Sequence, residues 1–89
     1  MRIKEGFKIR TMLGENIVTG EGAAQINFNK IISLNESAAF LWRSVEGKDF
    51  DAESLAGLLV EEYGIERELA LNDARAIAQK WLEIGIVEE

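Results

Sequence analysis

The chain contains no cysteine, no histidine and no proline, and each absence removes a class of answers. Without cysteine there are no disulfides and no thiolate nucleophile or ligand. Without histidine the commonest general base and the imidazole ligand of most zinc sites are both missing. Chemistry would fall to carboxylates and lysines alone, so no catalytic residue, metal ligand or cofactor is assigned. The missing proline bears on another question, because proline is one of the devices that keep a sheet edge from pairing with other chains. No apolar run approaches the ~20 residues that cross a bilayer. The opening Met-Arg-Ile-Lys-Glu-Gly lacks the apolar core of a signal peptide, so a cytoplasmic protein without membrane contact is expected.

What is present fits one domain over residues 1–89: a hydrophobic content of 47% in 89 residues supports one core and not two. A net charge of -6 disfavours nonspecific attraction to nucleic acid. The charge is uneven. Arg2, Lys4, Lys8 and Arg10 oppose only Glu5 in the first ten residues, whereas Glu46 to Glu68 is mostly acidic.

Phe7, Ile9, Thr11 and Leu13 alternate with Lys8, Arg10 and Met12, the period of a strand with one buried face. Leu13-Gly14-Glu15-Asn16 puts glycine first in a two-residue loop, which predicts a type II′ turn into a second strand at Ile17-Val18-Thr19. After a loop over 20–25, residues 26–34 read as a third strand. Ile26, Phe28, Lys30, Ile32 and Leu34 share one face; Asn27, Asn29, Ile31 and Ser33 share the other. Lys30 interrupts the apolar face, which points to a bulge or change of register near Asn29-Lys30.

Asn35 is an N-cap, and Ala38, Leu41, Trp42 and Val45 form the stripe of a first helix that Gly47 ends. Asp51 caps a second helix, with Leu55, Leu58, Leu59 and Tyr63 on its stripe and Gly64 at its stop. A third runs from about Glu66 to Ile84 on Ala70, Ala74, Ile77, Trp81 and Ile84. Asn72-Asp73 is a weak point in it, and Gly85-Ile86 is a Schellman ending that folds Ile86 back on Trp81. The expected class is α+β: a winged-helix-like arrangement of a three-stranded antiparallel sheet followed by three helices.

In such a meander the third strand lies at an edge, and Lys30 is the only charge between Ile26 and Leu34 to guard it. A guest strand could add there; the alternative is that the third helix or the N-terminal arm covers it. On the third helix, Asp73, Arg75, Ala76, Gln79 and Lys80 fall outside the core stripe. The small Ala76 would leave a shallow groove, unless this is simply a solvated face. Trp42 and Trp81 lie on apolar stripes and read as core anchors. Glu61-Glu62 and the Asp49, Asp51, Glu53 group read as caps and solvated charges: neighbours on a helix point about 100° apart, and the calcium-loop spacing is absent. Two rival functions stay open. One is a winged-helix DNA binder, against which Glu68, Asp73 and Glu83 cancel Arg67, Arg75 and Lys80. The other is a homodimer that pairs the third strand with its own copy.

The order β-rich N-terminus, Leu34-Asn35-Glu36-Ser37-Ala38-Ala39, Leu41-Trp42, Gly47, Leu55, Glu62-Tyr63, Asp73 and Gly85-Ile86-Val87 resembles the pyrroloquinoline quinone biosynthesis protein D family over nearly the whole chain. The resemblance implies a noncatalytic peptide chaperone, or RiPP recognition element. Such a protein binds the leader region of a precursor peptide as an added strand and presents it to a peptide-modifying enzyme, a radical-SAM or other maturase. Carried over by position, the peptide-binding residues would be Ile26, Asn27, Phe28, Asn29, Lys30, Ile31 and Ile32 on the strand. Asp73, Ala76, Ile77 and Lys80 would serve on the third helix. Ala74 and Ala78 are smaller than the large apolar residues expected from the family, so the groove would differ in shape.

Overall fold

The computed structural model describes residues 1–21 and 31–89. Its elements are β1 (Arg2–Ile3), β2 (Phe7–Met12), β3 (Glu15–Gly20), β4 (Ile32–Leu34), α1 (Glu36–Val45), α2 (Ala52–Tyr63), α3 (Arg67–Ile84) and β5 (Val87–Glu88). β2, β3 and β4 form an antiparallel sheet in that order, and the three helices follow it, as the sequence pattern predicts. The described part of the third strand is Ile32–Leu34; the expected bulge near Asn29-Lys30 lies outside the described residues. No helix among the described residues is long and apolar enough to cross a membrane.

The hairpin departs from expectation at its turn. Met12 stands opposite Glu15, so the two loop residues are Leu13 and Gly14, with φ of 52° and 80°. Two positive φ values make a type I′ turn in place of the type II′ turn expected, because the register puts Gly14 second in the loop and Leu13 first. Leu13 thereby takes a left-handed conformation that disfavours a side chain, and at 102% relative exposure it buries nothing in return. Leu13→Asn should therefore stabilise the domain by about 1 kcal/mol, since Asn-Gly is the preferred I′ pair. A higher urea midpoint at constant m-value would show it; an unchanged midpoint would mean that Leu13 costs nothing where it stands.

The helix boundaries follow local chemistry. Asn35 Oδ1 accepts the Ala38 N–H at 2.9 Å and opens α1. At the start of α2, Asp51 Oδ1 accepts the Ser54 N–H at 2.8 Å while Ser54 Oγ accepts the Asp51 N–H at 2.8 Å, a reciprocal capping box. The bond from the Ser54 N–H, joined by the Ser54 hydroxyl, holds the Asp51 carboxyl below its ordinary 3.8. A depressed carboxyl contributes stability that is complete above its unfolded value and is lost as pH falls through the folded one. Asp51→Asn, which keeps a cap but does not titrate, should flatten the acid limb of thermal stability measured below about pH 4.

At the far end of α3 the N–H groups of Gly85 and Ile86 converge on the Trp81 carbonyl at 3.0 and 3.1 Å, and Ile86 is fully buried. The helix is continuous through Asn72-Asp73. Its buried face is Ala70, Ala74, Ala78 and Trp81, so it is rotated from the expected stripe: Ala78 turns inward, and Ile77 and Ile84 move to the margin. Small residues on that face let α2 and α3 pack closely. Trp42 and Trp81 meet edge to face at 5.4 Å, and Phe50 meets Trp81 the same way at 6.2 Å. Phe7, Val18, Leu41, Leu55, Leu59, Ile86 and Val87 complete one cluster with them.

The N-terminal segment is no free arm. Arg2 and Ile3 pair with Glu88 and Val87, the Lys4 N–H donates to the Ile86 carbonyl at 3.1 Å, and Arg2 lies 3.3 Å from the Asp49 carboxylate. What reads in sequence as a basic arm and an acidic tail is a two-stranded ribbon closing the back of the core.

Candidate functional site

The sheet register fixes which groups of β4 are engaged. In a two-residue hairpin the residues flanking the loop exchange both hydrogen bonds, and the pairs then alternate. Met12–Glu15, Arg10–Ile17 and Lys8–Thr19 are thus the bonded pairs of β2 and β3, which leaves Asn16 and Val18 to bond the next strand. Their partners there are Leu34 and Ile32. Ser33, between them, directs its N–H and C=O to the open side, and Ile31 stands in the same phase. Among the described residues no strand pairs with that side, since the sheet ends at β4 and β1 is held by β5. Neither the N-terminal segment nor α3 hydrogen-bonds this edge.

Beside the edge lies a cavity of about 140 Å³ between β4 and α3. Ile32, Ser33, Leu34 and Asn35 form one wall, Ala38 and Trp81 the floor, and Ile77, Lys80 and Ile84 the other wall. An apolar cavity of ~150 Å³ is large enough to take up benzene, so this one suits a single aliphatic or small aromatic side chain. Among the described residues Lys80 is the one charged side chain in its lining, and it forms no ion pair there.

The structure therefore brings Ile32, Ile77 and Lys80 together at one groove. Ile31 is 67% exposed at the edge itself. Asp73 and Ala76 are exposed one turn before Ile77 and Lys80 on α3, outside the lining of this cavity. Ile26, Asn27, Phe28, Asn29 and Lys30 lie outside the described residues. Leu34, Ala38, Trp81 and Ile84 also line the groove although the sequence marks them only as core. The signal was present in their apolar periodicity, but periodicity does not separate a buried stripe from its half-open margin. Among the described residues no group of Asp and Glu side chains is arranged to hold a metal ion.

Two solved structures share this fold. "TbiB1 in Complex with the TbiA(beta) Leader Peptide" matches with a TM-score of 0.74 at 15% identity, over 99% of this chain and 95% of that one. "Lasso peptide synthetase B1 complexed with the leader peptide" matches with a TM-score of 0.69 at 17% identity, over 99% and 96%. No curated protein sequence matches significantly. Residues 15–87, from the start of β3 into β5, match the family described as coenzyme PQQ synthesis protein D. That span holds most of the sheet, all three helices and the whole groove, and the chain belongs to the coenzyme PQQ synthesis protein D (PqqD) family.

Proposed function

We propose that the protein is a noncatalytic recognition module that binds the leader segment of a ribosomally made precursor peptide as a fourth strand along β4, and presents it to a modifying enzyme. The observation that carries this is the outward Ser33 peptide group lying beside an apolar cavity. Backbone pairing supplies affinity that any extended peptide could share, and the cavity adds a side-chain requirement at alternate positions of the guest. Lys80 on the rim favours an acidic neighbour to that side chain. The two solved relatives, each in complex with a leader peptide, support the same assignment. The strand residues 26–30 and the helix residues Asp73 and Ala76 extend the proposed surface beyond the cavity.

The test is titration of the isotopically labelled protein with a candidate precursor leader peptide. Amides of Ile31 to Leu34 and of Ile77 to Ile84 should shift together and saturate. Shifts confined to Leu13 and Gly14 at the hairpin tip, with DNA competing, would instead indicate a winged-helix nucleic-acid binder.

A further inference from the structure

A second surface lies on the far side of α1, in an open depression of about 450 Å³ lined by Asn16, Glu36, Phe40, Arg43, Ser44 and Tyr63. None of these residues lines the peptide groove. Arg43 Nη2 donates to Thr11 Oγ1 at 3.3 Å and to Asn16 Oδ1 at 3.2 Å, which fixes the guanidinium without neutralising it. Among the described residues neither Arg43 nor Glu36 forms an ion pair, and residues 22–30 contain no Asp or Glu that could supply one to Arg43. Both charges complement the dipole of α1, but among the described residues that leaves a carboxylate and a guanidinium each without a counter-charge.

Their placement has a symmetry. Glu36 and Arg43 are seven residues apart, about 10 Å along the helix, and Phe40 stands near the midpoint. Phe40 meets Tyr63 edge to face at 5.9 Å, and Tyr63 is 45% exposed, so the middle of the surface is aromatic. An anion, an aromatic centre and a cation in a row are complementary to the same row run backwards. A two-fold axis through Phe40 brings each Glu36 to the other copy's Arg43 and the two aromatic pairs together, which is the self-complementarity an isologous contact requires. We infer that the outer face of α1 is a homodimer interface in which Glu36 of each copy meets Arg43 of the other. The contact uses none of the residues that line the peptide groove.

The test is sedimentation equilibrium on the full chain at low ionic strength, from about 10 μM to about 1 mM, where weak surface contacts register. The wild type should rise toward twice the monomer mass with concentration. Arg43→Glu and Glu36→Arg, each placing like charges together twice, should weaken the dimer at least about tenfold. The double variant E36R/R43E restores opposite signs and should return dimerisation toward the wild type, with circular dichroism confirming that all three variants are folded. A wild type that stays monomeric throughout overturns the inference. So does a dimer indifferent to the single swaps, or one the folded double variant fails to restore. A dimer lost instead on Ser33→Pro would place the contact on the β4 edge and overturn it equally.

Discussion

Trp81→Ala is expected to cost about 4 kcal/mol of unfolding free energy, in the range for large aromatic side chains removed from a core. The ring is 2% exposed and is the common member of two edge-to-face contacts, with Trp42 at 5.4 Å and with Phe50 at 6.2 Å. Its neighbours on the buried face of α3 are Ala70, Ala74 and Ala78, which cannot spread into the space it leaves. Its carbonyl also receives the two N–H groups that turn the chain into β5, so a loosened last turn of α3 loosens the β1–β5 ribbon with it. A domain of this length has a total stability on the order of 5–10 kcal/mol, so the variant should be largely unfolded in moderate urea, with its midpoint displaced far below the wild type. Trp81→Phe keeps most of the apolar volume and should remain folded. A loss under about 1.5 kcal/mol for the alanine variant would mean that the core closes over the gap.

The same residue shows what could and could not be read in advance. Caps and stops are local, and Asn35, Asp51, Gly64 and Gly85 stand where their side chains or glycine backbones predict. The turn type was not legible, because Gly14 fits either central position of a two-residue loop and the choice between them rests on strand twist and register. The ribbon of β1 and β5 was invisible for another reason: two-residue strands carry no periodicity, and their pairing joins Arg2 to Glu88 across the whole chain. For the groove, periodicity puts Ile77, Trp81 and Ile84 on one apolar stripe and Lys80 outside it, without showing which of them stand at its open margin. The slight rotation of α3 decides which of those residues face the cavity. That rotation follows from Ala78 packing inward, and alanine alone does not announce it.

Ser33→Pro should weaken peptide binding by about two orders of magnitude while leaving the domain folded, and the asymmetry comes from the register. The Ile17–Ser33 pair is the one that exchanges no hydrogen bonds, so the Ser33 N–H takes no part in holding β4 to β3. The flanking bonds from Ile32 and Leu34 survive, Ser33 is exposed, and Ile32 already has the extended backbone a residue before proline requires. An edge position with its N–H turned outward is where a sheet tolerates proline. On the open side the consequences differ. The guest carbonyl that would accept the Ser33 N–H meets a ring instead, and it is buried unpaired against the strand at a cost of about 2–3 kcal/mol. In dissociation constant that is roughly thirty- to 150-fold, readable by calorimetric titration with the leader peptide. Ser33→Ala removes the hydroxyl and keeps the N–H, so its affinity should stay within about twofold of the wild type. Ile32→Pro strikes the bonded phase, removing a donor to Val18, and should instead lower the thermal midpoint. If Ser33→Pro binds as the wild type does, no strand is added at β4, and the peptide must be held by side chains in the cavity alone.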